Sequence, residues 1–184
     1  WEIASHGLKW IDYRDFTEAA ERADVDEAIR IHTRVAGARP LGFYQGRTSA
    51  FSLDVAMKEQ GFLYCADSYA DELPYWVDGP NGPQLIVPYT LDANDMRFTT
   101  PQGFNSGDQF FTYLKDSFDM LYAEGDERPK MLSVGLHCRL AGRPGRAAAL
   151  ARFLDFITSQ DRVWVATRLD IAQHWIKTHP PAGG

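Results

Sequence analysis

Short apolar runs alternate along this chain with longer segments in which apolar residues recur every three or four positions, and that alternation constrains the fold most. The runs are residues 2–5, 41–44, 62–66, 85–87, 131–136 and 163–165. Between them, residues 15–36 carry Val25, Ala28, Ile29, Ile31 and Val35 on one helical face, with Gly37 as a stop signal. Ser49 is expected to cap a helix through Lys58 that closes at Gly61. Ser106 and Gln109 have capping-box spacing ahead of a helix to Ala123, and Pro144 suits the first turn of a helix to Thr158. A last helix is expected from Leu169 to Lys177, before a frayed tail at residues 180–184. Residues 69–82, with Pro, Gly and acidic side chains, predict a loop. Strands alternating with helices imply βα units around a parallel sheet, an α/β protein. No shift in composition divides the chain, so residues 1–184 are expected to form a single domain.

The polar residues have a positional pattern. His6 follows the first run, Arg47 the second, Asp67 the third, Asn94 and Asp95 the fourth, and His137 the fifth. Parallel α/β folds build their sites at the C-terminal ends of strands, so these groups are expected to converge on one mouth. Titratable groups of both signs there favour an enzyme over a binding module. Each residue also has a plainer reading: a solvated turn histidine, an arginine capping the next helix, an aspartate in an ordinary turn. His32, His174 and His179 read as surface residues, and Cys65 and Cys138 as thiols in or near the core.

Other chemistries are excluded by what the sequence lacks. It has no Walker A loop, no G-x-G-x-x-G after a strand, no G-x-S-x-G, no C-x-x-C and no H-E-x-x-H. The net charge of −6 without a Lys/Arg block, and aromatics not interleaved with basic residues, argue against nucleic acid and anionic membrane. No apolar stretch approaches the ~20 residues of a membrane span. Two cysteines fit a reducing, cytoplasmic setting. A histidine four residues after His6 would suggest a metal pair, but that position is Trp10. No metal or other cofactor is expected.

Consecutive motifs then acquire a common meaning. They are Glu2-Ile3-Ala4-Ser5-His6-Gly7, Gly46-Arg47-Thr48-Ser49, Asp67-Ser68-Tyr69-Ala70-Asp71, Pro88-Tyr89-Thr90-Leu91-Asp92 with Asn94-Asp95-Met96-Arg97-Phe98, and Leu136-His137-Cys138-Arg139. Together with Arg143-Pro144-Gly145-Arg146 they resemble the polysaccharide deacetylase superfamily, and within it the metal-independent allantoinase branch of bacterial urate catabolism. The resemblance implies a distorted, incomplete (β/α) barrel of the NodB homology type. The family's first motif has no counterpart here, so the expectation is that the N-terminal strands are missing and that residues 1–184 are the C-terminal part of a larger catalytic domain.

On the same resemblance His6, Arg47, Asp67 and His137 are the catalytic candidates. His137 matches the family's general acid and Arg47 the residue that orients the acid–base machinery. Asp67 would hold a His or Arg in place, and His6 would be either a substrate contact or the base. Trp10 replaces the second zinc-ligand histidine, and with Tyr44, Asn94 and Asp95 forms the expected substrate-binding set. The implied activity opens the hydantoin ring of allantoin, a small ureide, to allantoate without a metal. The alternatives are a zinc-dependent polysaccharide or peptidoglycan N-deacetylase and a related cyclic-imide hydrolase. The resembled enzymes assemble as homo-oligomers, often tetramers, and residues 75–82 and 98–105 are the loops expected at such contacts or over the pocket.

Overall fold

The computed structural model describes residues 1–58 and 61–181, so residues 59–60, between the expected helix end at Lys58 and its stop at Gly61, and the tail residues 182–184 lie outside the described residues. The chain divides into two compact units: Trp1–Tyr89 with Ala166–Gly184, and Thr90–Val165.

The first unit is built on a four-stranded sheet. Helix α1 (Glu18–Ala36) begins where the Thr17 side chain accepts from the Ala20 N–H. It ends at Gly37, whose φ of 78° only glycine adopts without strain. Strands β1 (Gly42–Phe43) and β2 (Tyr64–Cys65) flank α2 (Ser52–Lys58) in sequence, and β3 (Tyr75–Gly79) and β4 (Gly82–Ile86) follow. The order is β1-β2-β4-β3, parallel except for β3, which pairs antiparallel with β4. The first apolar run contributes a single parallel bridge from Ser5 to Phe43. Val25, Phe43, Val55, Phe62, Cys65 and Ile86 pack as the core between sheet and helices. Glu21 is fully buried and accepts from the Ser49 and Ser52 hydroxyls, which ties α1 to the start of α2. Helix α6 (Arg168–Thr178) opens with a complete capping box between Thr167 and Asp170.

Two expectations are corrected here. The loop expected over residues 69–82 contains β3, because Pro80-Asn81 turns the chain back so that Tyr75 pairs with Ile86 and Val77 with Gln84. Pro and Gly mark a hairpin turn there, not an irregular segment. Ser49 does not begin α2 directly: its hydroxyl accepts from the Phe51 N–H and the helix starts at Ser52.

The second unit is helical. A 3-10 turn (Asp95–Thr99) is capped by the Asn94 side chain, which accepts from the Met96 N–H. Helix α3 (Gly107–Glu124) is capped by Ser106, while the Gln109 side chain returns to the Asn105 N–H and not to Ser106. After the short α4 (Cys138–Ala141) comes α5 (Pro144–Thr158), with Pro144 in its first turn as expected. Gly107 permits close approach of α3 and α5, since a Cβ there would meet the Gly145 carbonyl at 2.7 Å. Ala93, Phe104, Phe110, Leu114, Ala149 and Phe153 form this unit's core.

The strand expected at residues 131–136 reduces to one parallel bridge, Asn94 to Gly135. The one expected at residues 163–165 does not form, and Trp164 and Val165 are 59% and 65% exposed. A strand persists only where a neighbour takes up its N–H and C=O groups, and apolar content alone does not supply one. Among the described residues no helix is long and apolar enough to cross a membrane.

Candidate functional site

The candidate residues fall into two groups, one in each unit. In the first, Ser5 donates its N–H to the Gly42 carbonyl at 2.8 Å and accepts from Tyr44 N–H at 3.0 Å. That pairing fixes the segment carrying His6 beside the one carrying Tyr44 and Arg47. Asp67 lies just beyond β2 and accepts from the backbone N–H groups of Gln45 at 2.6 Å and Gly46 at 2.8 Å. It therefore holds the turn that presents Arg47. Burial pushes the Asp67 carboxyl up from its ordinary value, against the pull of those two N–H groups and of His6. The neighbouring Cys65 thiol is pushed up to about 12, chiefly by burial, which keeps it protonated and unreactive.

His6 sits against two rings. Trp10 meets it edge-on with centroids 4.8 Å apart, and the Tyr44 ring lies tilted with its centroid 5.0 Å away. The Arg47 guanidinium covers the Trp10 indole at 4.9 Å. Tyr44 stacks on Tyr89 at 5.1 Å, and its hydroxyl lies 3.3 Å from that of Tyr69. Burial raises the Tyr44 phenol, so it remains a neutral hydrogen-bonding group. Gly7 takes a left-handed φ of 71°, and its Cα faces the buried Gln45 side chain. This unit thus brings His6, Trp10, Tyr44, Arg47 and Asp67 near one another. Tyr69, Tyr89 and Arg168 belong with them and were not among the candidates. Tyr69 and Tyr89 lay inside quoted motifs; Arg168 had no signal beyond its place at a helix start.

In the second unit Asp95 is fully buried and committed to its neighbours. One oxygen accepts from the backbone N–H groups of His137 at 2.7 Å and Ala141 at 3.0 Å. The other lies 2.6 Å from His137 Nδ1. A carboxylate opposite Nδ1 suits the tautomer in which that nitrogen carries the proton and Nε2 is the acceptor. Asp95 therefore holds His137 from a fully buried position. Asn94 commits its side-chain oxygen to the Met96 N–H.

A catalytic zinc site needs about three protein ligands. The described residues contain no group of three or more His, Cys, Asp or Glu placed to hold a metal. The indole of Trp10 offers no lone pair where a second histidine would be needed beside His6. Zinc does not fit the donors present.

No family model matches the chain. A protein of Schizosaccharomyces pombe that carries the name of a polysaccharide deacetylase is 39% identical over 97% of the chain and 61% of its own length. The chain is a homologue of the polysaccharide deacetylases. Its structure matches that of a probable polysaccharide deacetylase from Pseudomonas aeruginosa PAO1, with 57% identity and a TM-score of 0.94 over 97% of this chain and 60% of that one. It also matches the Puue allantoinase, with 59% identity and a TM-score of 0.96 over 98% of this chain and 60% of that one. The chain thus spans about three fifths of these relatives. Its partial sheet agrees with the incomplete barrel expected from the motifs.

Proposed function

We propose that the protein is an amidohydrolase that opens the hydantoin ring of allantoin to give allantoate, without a metal. The observation that carries this reading is the 59% identity to an allantoinase over nearly the whole chain. The Trp10 indole in place of a second metal-binding histidine supports it. In the reaction, water adds to a ring carbonyl carbon and the ring C–N bond breaks. The released nitrogen takes a proton and the carbonyl carbon becomes a carboxylate. His137 is assigned as the proton donor to that nitrogen, with Asp95 stabilising its imidazolium form; such transfer is worth about 10²–10⁴-fold. Arg47 is assigned to orient or neutralise a carbonyl oxygen, and His6 to contact the substrate or accept the proton of water. Trp10 and Tyr44 offer flat faces and a neutral hydroxyl suited to an uncharged ring rich in N–H and C=O. A homo-oligomeric, cytoplasmic enzyme of purine breakdown belongs to the same reading.

The test uses the intact protein. Allantoate should form from allantoin at an unchanged rate after exhaustive chelation, and His137→Ala should abolish it. Turnover that vanishes with chelator and returns with zinc, or acetate release from N-acetylglucosamine polymers with none from allantoin, would overturn the assignment.

A further inference from the structure

We propose that Arg168, in the first turn of α6, is a positioning residue for His6 and acts on it through Tyr89 and Tyr44. The starting point is a contrast between the two histidines. His137 is fixed by a carboxylate, whereas among the described residues nothing hydrogen-bonds to the His6 ring. The contacts on it are rings, Trp10 edge-on at 80° and Tyr44 tilted at 56°, with the Asp67 carboxyl near enough to interact with it electrostatically. Both ring nitrogens stay uncommitted, which suits a group meeting a donor- and acceptor-rich ligand, but the ring is then only as well placed as the rings flanking it.

Tyr44 is held in turn. Its ring lies nearly parallel to that of Tyr89, 11° apart at 5.1 Å. The Arg168 guanidinium covers Tyr89 with Cζ 5.0 Å from the ring centroid. That guanidinium is itself anchored, since Nη1 donates to the carbonyls of Val87 at 2.8 Å and Pro88 at 3.0 Å. The helix start that carries it is tied down by the capping box and by Glu2, which accepts from the Leu169 N–H at 2.9 Å. The result is one unbroken stack: Arg168, Tyr89, Tyr44, His6, Trp10, Arg47. Ring faces are electron-rich, so a guanidinium is attracted at each open end, and a partly desolvated one more strongly than a hydrated one. The arrangement holds the imidazole by ring contacts without consuming either nitrogen.

The catalytic consequence rests on the allantoinase reading, but the stack can be examined without it. In the intact protein, Tyr89→Leu removes the middle of the stack and leaves the Arg168 carbonyl contacts in place, while Tyr89→Phe keeps the ring. Arg168→Leu and Arg168→Lys test the end cation directly. Two quantities are read for each: the His6 ring resonances by NMR, and kcat and KM for allantoin. Tyr89→Leu and Arg168→Leu should shift the His6 resonances and lower kcat about tenfold with KM within about twofold, the scale of a small misplacement of a reacting group. Tyr89→Phe should restore both, and Arg168→Lys should restore them in part. If Arg168→Leu fails to fold, the Tyr89 pair decides. Unmoved His6 resonances in a folded Tyr89→Leu protein, or equal kcat in its Leu and Phe variants, would overturn the proposal. A wild-type protein inert to allantoin would refute the proposed activity alone, because the resonances still report on the stack.

Discussion

Replacing Asp95 by Asn tests the histidine–carboxylate pair with almost no change of shape. One Asp95 oxygen accepts from the backbone N–H groups of His137 and Ala141, and the other faces His137 Nδ1. An asparagine keeps one acceptor. Placed on the two backbone donors, that oxygen preserves both bonds and turns the NH₂ towards Nδ1. Two donors then face each other unless the ring proton moves to Nε2, so the outward lone pair is lost. The imidazolium form loses its carboxylate partner as well. A charge-assisted hydrogen bond is worth about 1.5–3 kcal/mol. At about 1.36 kcal/mol per decade this is a loss of roughly 10- to 150-fold in kcat, and up to ~10⁴ if the wrong tautomer removes acid–base transfer entirely. Stability should fall by no more than about 1.5–3 kcal/mol, because two of the three bonds survive. Steady-state turnover of allantoin gives the rate, urea unfolding the stability, and ¹⁵N NMR the tautomer whether or not the substrate is right. A folded variant with kcat within about twofold of wild type and Nδ1 still protonated would refute the reasoning.

Two further predictions concern the first unit. Burial raises the Asp67 carboxyl above its ordinary 3.8, so between that value and the raised one the folded chain holds a proton that the unfolded chain releases. The contribution to stability is therefore greatest below the ordinary value and is lost as pH rises through the raised one. In urea unfolding from about pH 3 to about pH 7, the stability of wild type relative to Asp67→Asn should decline with pH; a rising difference would contradict the burial argument. Gly7→Ala should cost at least about 1 kcal/mol for a left-handed alanine at a φ of 71°, with more for a Cβ 2.7 Å from Gln45 Oε1. Adding Gln45→Ala should recover only the contact, and thermal melts that match wild type would refute both parts.

The helices were legible because their signals are local. Ser106 and Gly37 act within one turn of the backbone they cap, and Pro144 stands where its missing N–H is not needed. Strands were less legible because pairing is a property of neighbours. Residues 163–165 have strand composition and no ladder, whereas β3 was hidden behind Pro80 and Asn81, which serve as its turn. In the site, positions were readable and roles were not. Asp67 and Asp95 stood out at run ends, but each takes its role from backbone N–H groups distant in sequence, Gly46 at 21 residues and Ala141 at 46. Such partners leave no spacing pattern. Arg168 is the extreme case, since its ring contact joins α6 to Tyr89 across the whole of the second unit's sequence.

The Glu2 side chain has a consequence for the order in which the molecule can be made. It accepts from the Tyr64 hydroxyl at 2.6 Å and from the Leu169 N–H at 2.9 Å, the latter pair separated by 167 residues. A ribosome delivers the β1–β4 sheet long before α6, so the first unit waits with Glu2 half satisfied while residues 90–165 emerge and can pack their own helices. Closing so long a loop adds only about 0.6 kcal/mol per doubling of length, so the delay is one of synthesis more than of entropy. The unit begun first is finished last, and its final piece carries Arg168.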